Sequence, residues 1–155
     1  MSDITVLLKK LREGVPDPVY GTAGAAGCDI HADEDLWLPV GENRLVSTGL
    51  CMQIPDGYEC QIRPRSGLAL KEGVIVFNSP STIDSDYRGE LKILLTHHGV
   101  PGHDKPFHVT RGMRIAQLVF APVTRATFKT VDELDASARG MGGWGSTGTQ
   151  AISRS

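Results

Sequence analysis

Short aliphatic and β-branched runs follow one another along this chain, and glycine or proline turn signals separate many of them. The runs are "ITVLL", "DLWLPV", "RLVSTGL", "CMQIP", "YECQIRP", "VIVF", "LKILL", "FHV", "RIAQLVFAPV" and "ATFKTV". The punctuation is Pro39-Val40-Gly41, Pro55-Asp56-Gly57, Pro80, Gly99 through Gly102, and Arg111-Gly112. A chain broken this often cannot build a helical bundle. It must pair strands, and regular spacing of short strands with such turns specifies an antiparallel sandwich or barrel. The single helix signal is "SGLALKEG", with Ser66 placed to cap it and Gly73 to stop it. With 155 residues the chain suffices for one domain with a sizeable core.

Charge narrows the function classes. Lys+Arg 16 against Asp+Glu 18 gives a net charge of -2, so no polybasic face for duplex nucleic acid exists. Local arginines can still serve a small anion. Cys28, Cys51 and Cys60 are an odd set without C-x-x-C spacing, which reads as small buried hydrophobes rather than disulfides or a zinc site. The five histidines, including His97 and His98, lack metal-ligand spacing and read as surface loop residues. "MSDITVLLKKL" is too short for a signal peptide or membrane span, so the expected compartment is the cytoplasm, with no membrane partner. From Arg139 the composition changes to "RGMGGWGSTGTQAISRS". The expected organisation is therefore a β domain over 1–138 and a mobile glycine-rich arm over 139–155.

Four segments carry chemistry. "AAGCDIHA" sets Asp29 among apolar residues, as a turn aspartate or a site acid. "PRSGLAL" puts Arg65, Ser66 and Gly67 where a strand runs into a helix start, an arrangement suited either to phosphate or simply to a capped helix. "NSPSTIDSDYRGE" lies between "VIVF" and "LKILL" and is expected to form a hairpin tip. Its backbone, with the two-sided amide of Asn78, suits a flat ring. An ordinary aspartate titrates at ~3.9, so Asp84 can orient and deprotonate a water at neutral pH. "RGMGGWGSTG" lacks the lysine and the flanking elements of a phosphate-binding P-loop. It offers instead a flexible chain carrying Arg139, a stacking ring in Trp144, and the hydroxyls of Ser146 and Thr147.

In this order "AGCDI", "PRSGLA", "IDSDYRGE", "RIAQL" and "RGMGGWGSTG" resemble the five motifs of the trimeric deoxyuridine triphosphatases (dUTP diphosphatases), over about Pro18 to Gly148. The resemblance implies an all-β, jelly-roll-type barrel with one short helix. It also implies a homotrimer whose active sites are shared between chains, with the C-terminal arm closing over a neighbour's site. The implied reaction is hydrolysis of dUTP to dUMP and pyrophosphate with Mg²⁺, which limits uracil incorporation into DNA and supplies dUMP for thymidylate synthesis. By position, Asp84 is the acid that orients the water attacking the α-phosphorus. Tyr87 lies against the deoxyribose and excludes a 2′-hydroxyl. Asn78 and the backbone around Thr82 and Ile83 read uracil. Arg65, Ser66, Gly67 and Gln117 are polar contacts of the site, and Lys92 contacts substrate through its strand. Asp29 acts near the metal through water. Arg139 closes the site, Trp144 stacks on the base, and Gly145, Ser146 and Thr147 lie by the γ-phosphate.

The chain departs from the pattern at two positions. Trp144 stands where phenylalanine is usual, and Ser81 where the hairpin usually has glycine. If that position needs positive φ or close approach to the base, Ser81 brings strain or weaker substrate affinity. Two rival readings remain: a dCTP deaminase of the same fold, and a non-catalytic dUTP-binding regulatory protein.

Overall fold

A computed structural model describes residues 3–101 and 105–143. The chain divides into one unit up to Thr124 and a second from Arg125. The first unit is a sandwich. β1 (Leu7–Lys10), β5 (Asn43–Gln53), β9 (Glu90–His97) and β7 (Val74–Val76) form one antiparallel sheet in that order. The other sheet runs β2 (Val19–Tyr20), β3 (Cys28–His31), β11 (Arg114–Pro122), β6 (Tyr58–Arg63), β8 (Ser81–Ile83). β4 (Leu36–Leu38) and β10 (Phe107–Val109) pair separately. The architecture is the expected all-β, jelly-roll-like one, with one helix among the described residues, α1 (Ser66–Glu72). No helix among the described residues is long and apolar enough to cross a membrane.

Alternation builds the core. In β9, Leu91, Ile93 and Leu95 are buried while Lys92 faces out. They meet Ile30, Ile62, Ile115 and Leu118 of the opposite sheet in one apolar cluster. Each such side chain contributes about 1.5–3 kcal/mol on burial. Cys28 and Cys60 belong to this core and Cys51 is half-buried; all three are free thiols, as expected. Burial pushes the Cys60 thiol up to about 12, and raises that of Cys28 as well.

Several elements differ from expectation. "RLVSTGL" and "CMQIP" are one strand, β5, whose pairing with β9 is interrupted between Ser47 and Cys51. At that break Gly49 has φ +67 and is buried, its N–H donating to the Glu90 carboxylate at 3.0 Å. "ATFKTV" forms no strand: it falls in the second unit, where Phe128 is 94% exposed and lacks a paired neighbour among the described residues. His97 is not a surface residue. Register against Val74 turns it inward, where it is 2% exposed with Nδ1 at 3.1 Å from the Leu38 carbonyl. Ser66 is the first residue of α1 and caps nothing. The N-cap is Arg65, extended after Pro64, without a side-chain capping bond. Gly73 does end the helix, at φ 65.

The segment between "VIVF" and "LKILL" is not a simple hairpin tip. β7 and β9 pair in one sheet, but β8 crosses to the other and pairs with β6, Ser81 opposite Ile62 and Ile83 opposite Cys60. Ile83 packs on the core and draws the chain across.

Candidate active site

One cluster sits on the outer face of the five-stranded sheet. Ile30 is in the core, so its neighbours Asp29 and His31 face away from it. In a regular strand Arg114 and Gln117 would point to opposite faces. The register of β11 against β3 shifts between Arg114 and Ala116, burying Ile115 and Ala116 in succession and leaving both polar residues outside. They converge on Asp29: Arg114 donates to Oδ2 at 3.0 Å and Gln117 to Oδ1 at 3.3 Å. Arg65, at the start of α1, donates to Oδ1 at 3.0 Å. Asp29 is only 5% exposed, so the carboxylate is a buried anchor for two guanidiniums. That geometry explains why the N-cap is an arginine: its side chain is drawn back to β3. Ser66 and Gly67 follow it on the exposed first turn.

His31, opposite Arg114 in register, has a buried Nδ1 without a partner among the described residues. Burial lowers its pKa from 6.5, opposed by the Asp29 charge and reinforced by Arg114 and Arg65. The ring is thereby biased to its neutral form beside two cations.

A second group lines a cavity of about 620 Å³ between β5, β8 and β9. Thr82, Ile83, Asp84, Tyr87, Glu90 and Lys92 all border it. Asp84 is exposed at the end of β8, where β8 leaves the sheet. The loop after it is closed by local bonds. Tyr87 N–H donates to the Asp84 carbonyl at 3.2 Å, and Arg88 donates to the Ser85 and Tyr87 carbonyls at 2.6 and 2.9 Å. The Tyr87 hydroxyl donates to the Glu90 carbonyl at 3.0 Å. Lys92 Nζ lies 3.6 Å from the Glu90 carboxylate. The cavity thus joins a solvated acid, an aromatic ring, a cation and short-strand backbone. A larger cavity of about 750 Å³ lies elsewhere. Among the described residues Asp3 is the one charged group that borders it, and its lining is mainly apolar.

Asn78 lies outside both groups, exposed on the β7–β8 connection, with Nδ2 donating to Ser81 Oγ at 3.1 Å. Ser81 itself is ordinary strand: no described non-glycine residue has positive φ, which removes the expected strain. Arg139 belongs to the second unit, its Nε donating to the Gly142 carbonyl at 2.7 Å. Trp144, Gly145, Ser146 and Thr147 lie outside the described residues. Sequence reasoning missed Arg114, Glu90 and Gly89. Arg114 stands in the quoted "RIAQL", and the other two close "IDSDYRGE", so each was within view without a role. No group of three or more His, Cys, Asp or Glu that could hold a metal occurs among the described residues.

The dUTPase family model matches residues 13–148. A protein of Methylocella silvestris named deoxyuridine 5′-triphosphate nucleotidohydrolase is 54% identical over 155 residues, covering 96% of this chain and 94% of its own. One of the same name from Rhizobium rhizogenes is 54% identical over 139 residues, 87% of this chain and 86% of that one. Among solved structures, the dUTPase of Staphylococcus bacteriophage 80alpha with dUPNHPP superposes with a TM-score of 0.84 at 27% identity, covering 94% of this chain and 99% of that one.

Proposed function

The chain belongs to the dUTPase family, and from that premise we propose that it hydrolyses dUTP to dUMP and pyrophosphate by direct attack of a water held by Asp84. One observation carries the reading. Asp84 is solvent-exposed and borders a cavity that Thr82, Ile83, Tyr87, Glu90 and Lys92 also line. An acid so placed takes a proton from water as the oxygen attacks the α-phosphorus, while pyrophosphate leaves from the opposite side. Tyr87 lies along the sugar and leaves no room for a 2′-hydroxyl. The β8 backbone reads uracil, with Asn78 at the edge.

Displacement at phosphorus depends on positioning and charge neutralisation. Arg65 and Arg114, held by Asp29, supply fixed positive charge, and Gln117 adds a polar contact. The two groups stand on different elements: β3, β11 and the start of α1 in one case, β8 and β9 in the other. That separation suits a homotrimer in which each site takes residues from more than one protomer. Arg139, Trp144, Gly145, Ser146 and Thr147 then close it from an arm.

The donor set fits Mg²⁺ carried in by the triphosphate. That ion keeps several waters and needs few protein ligands, and Asp29, already engaged by two guanidiniums, would reach it only through water. When bound, Mg²⁺ offsets the charge of the phosphates.

The test is pyrophosphate release from dUTP, dTTP, dCTP and UTP with Mg²⁺ present. Selective release from dUTP supports the reading. Ammonia from dCTP would identify a deaminase, and bound nucleotide with no product a regulatory binding protein.

A further inference from the structure

We infer that Gly89 is a specificity determinant that acts through Tyr87, holding its ring in the pose that rejects a ribose; this rests on the function proposed above. A Cβ added at Gly89 would overlap the Tyr87 hydroxyl oxygen and lie 2.6 Å from Cζ and 3.0 Å from Cε2. The phenol therefore lies back across the Gly89 backbone, in space any other residue would fill. Its hydroxyl is fixed there by the Glu90 carbonyl at 3.0 Å. The Glu90 side chain is in turn tied to the N–H of Gly49 on β5 at 3.0 Å, so the carbonyl that receives Tyr87 belongs to an anchored residue.

The glycine is not there for its backbone. Gly89 has no φ in the left-handed region, so alanine brings no backbone strain. The three atoms nearest the added Cβ all belong to the far end of one side chain, itself 43% exposed. Alanine at 89 leaves the barrel intact and swings the ring away. A displaced Tyr87 opens the space beside the sugar C2′ while Asp84 stays where it is, its carbonyl still bonded to the Tyr87 N–H. Gly89 is thus a positioning residue, and sugar selectivity should respond more strongly to it than fold stability does.

The experiment compares kcat/KM for dUTP and UTP in the full-length protein, in Gly89→Ala, in Tyr87→Ala and in the double variant, with thermal melts alongside. Gly89→Ala is expected to lower the dUTP:UTP ratio at least tenfold with an unchanged Tm. In the Tyr87→Ala background, adding Gly89→Ala is expected to change the ratio no further, because the group it acts through is gone. A dUTP:UTP ratio in Gly89→Ala within twofold of the parent overturns the inference, as does a further loss in the Tyr87→Ala background. Should the parent protein fail to turn over dUTP, it is the proposed function that falls.

Discussion

Replacing Asp29 by asparagine should loosen the outer face of the five-stranded sheet in a measurable way. The carboxylate is 7% exposed, and it holds Arg65, with a side chain 26% exposed, and Arg114, 51% exposed, each at 3.0 Å. Breaking a fully buried pair costs ~3–5 kcal/mol, whereas an exposed pair contributes only ~0–1 kcal/mol. Here the acid is buried and both bases reach solvent. Asparagine also keeps one acceptor, so the loss should be about 2–3 kcal/mol. With urea m-values of ~1–3 kcal/mol/M, the midpoint should fall by on the order of 1–2 M at constant slope. The assay is urea unfolding followed by circular dichroism at one fixed protein concentration, since any assembly makes the midpoint concentration-dependent. A shift below about 0.3 M would mean that the two guanidiniums are held by something other than Asp29, and the account of β3, β11 and α1 given above would be wrong.

Asp84→Asn should lower kcat by at least ~10²-fold while a non-hydrolysable dUTP analogue still binds within a few-fold of the parent, as calorimetry can read; undiminished turnover contradicts the assigned role. Gly49→Ala should cost about 2–5 kcal/mol in denaturant, because φ is +67 and the new Cβ would overlap Asp33 Oδ2 and approach Val15 Cγ2 to 2.7 Å. Gly24→Ala, which meets nothing and has ordinary φ, should stay within about 0.5 kcal/mol. In the folded protein Cys51 should alkylate first, with Cys28 and Cys60 reacting only as the chain unfolds, read by mass spectrometry of timed digests. Because the folded Cys60 thiol titrates at about 12 against an ordinary 9.0, its burial contributes stability that is intact below pH 9 and lost as pH rises towards 12. Alkaline melts should therefore fall less steeply in Cys60→Ala.

Alternation made some strands legible in the sequence, and its absence hid others. β9 shows itself because Lys92 interrupts Leu91 and Ile93, giving the period of two. β3 does not, since Cys28, Asp29 and Ile30 are all buried and a strand covered on both sides has no alternation to display. β5 reads in the sequence as two adjacent runs, and the structure joins them into one strand whose pairing with β9 is interrupted between Ser47 and Cys51, where Gly49 sits. "ATFKTV" has the right residue types but no partner strand among the described residues, a fact that no local pattern contains. The site divides the same way. Asp84 and Tyr87 sit in a loop made by contacts a few residues apart, so the quoted motif held most of its shape. The role of Arg114 depends on a carboxylate 85 residues away and on a register shift, neither of which is written locally. Gly89 is a matter of volume, visible only once the phenol has been placed.

The passage of the chain from β7 through β8 to β9 stitches the two layers together at one end. Any breathing of the sandwich that separates the layers must pull on β8, and so on the acid and the ring that follow it. A nucleotide gripping that stretch would clamp both layers at once. Amide exchange in β6 and β9, which share no ladder with each other, should then slow together when ligand is added.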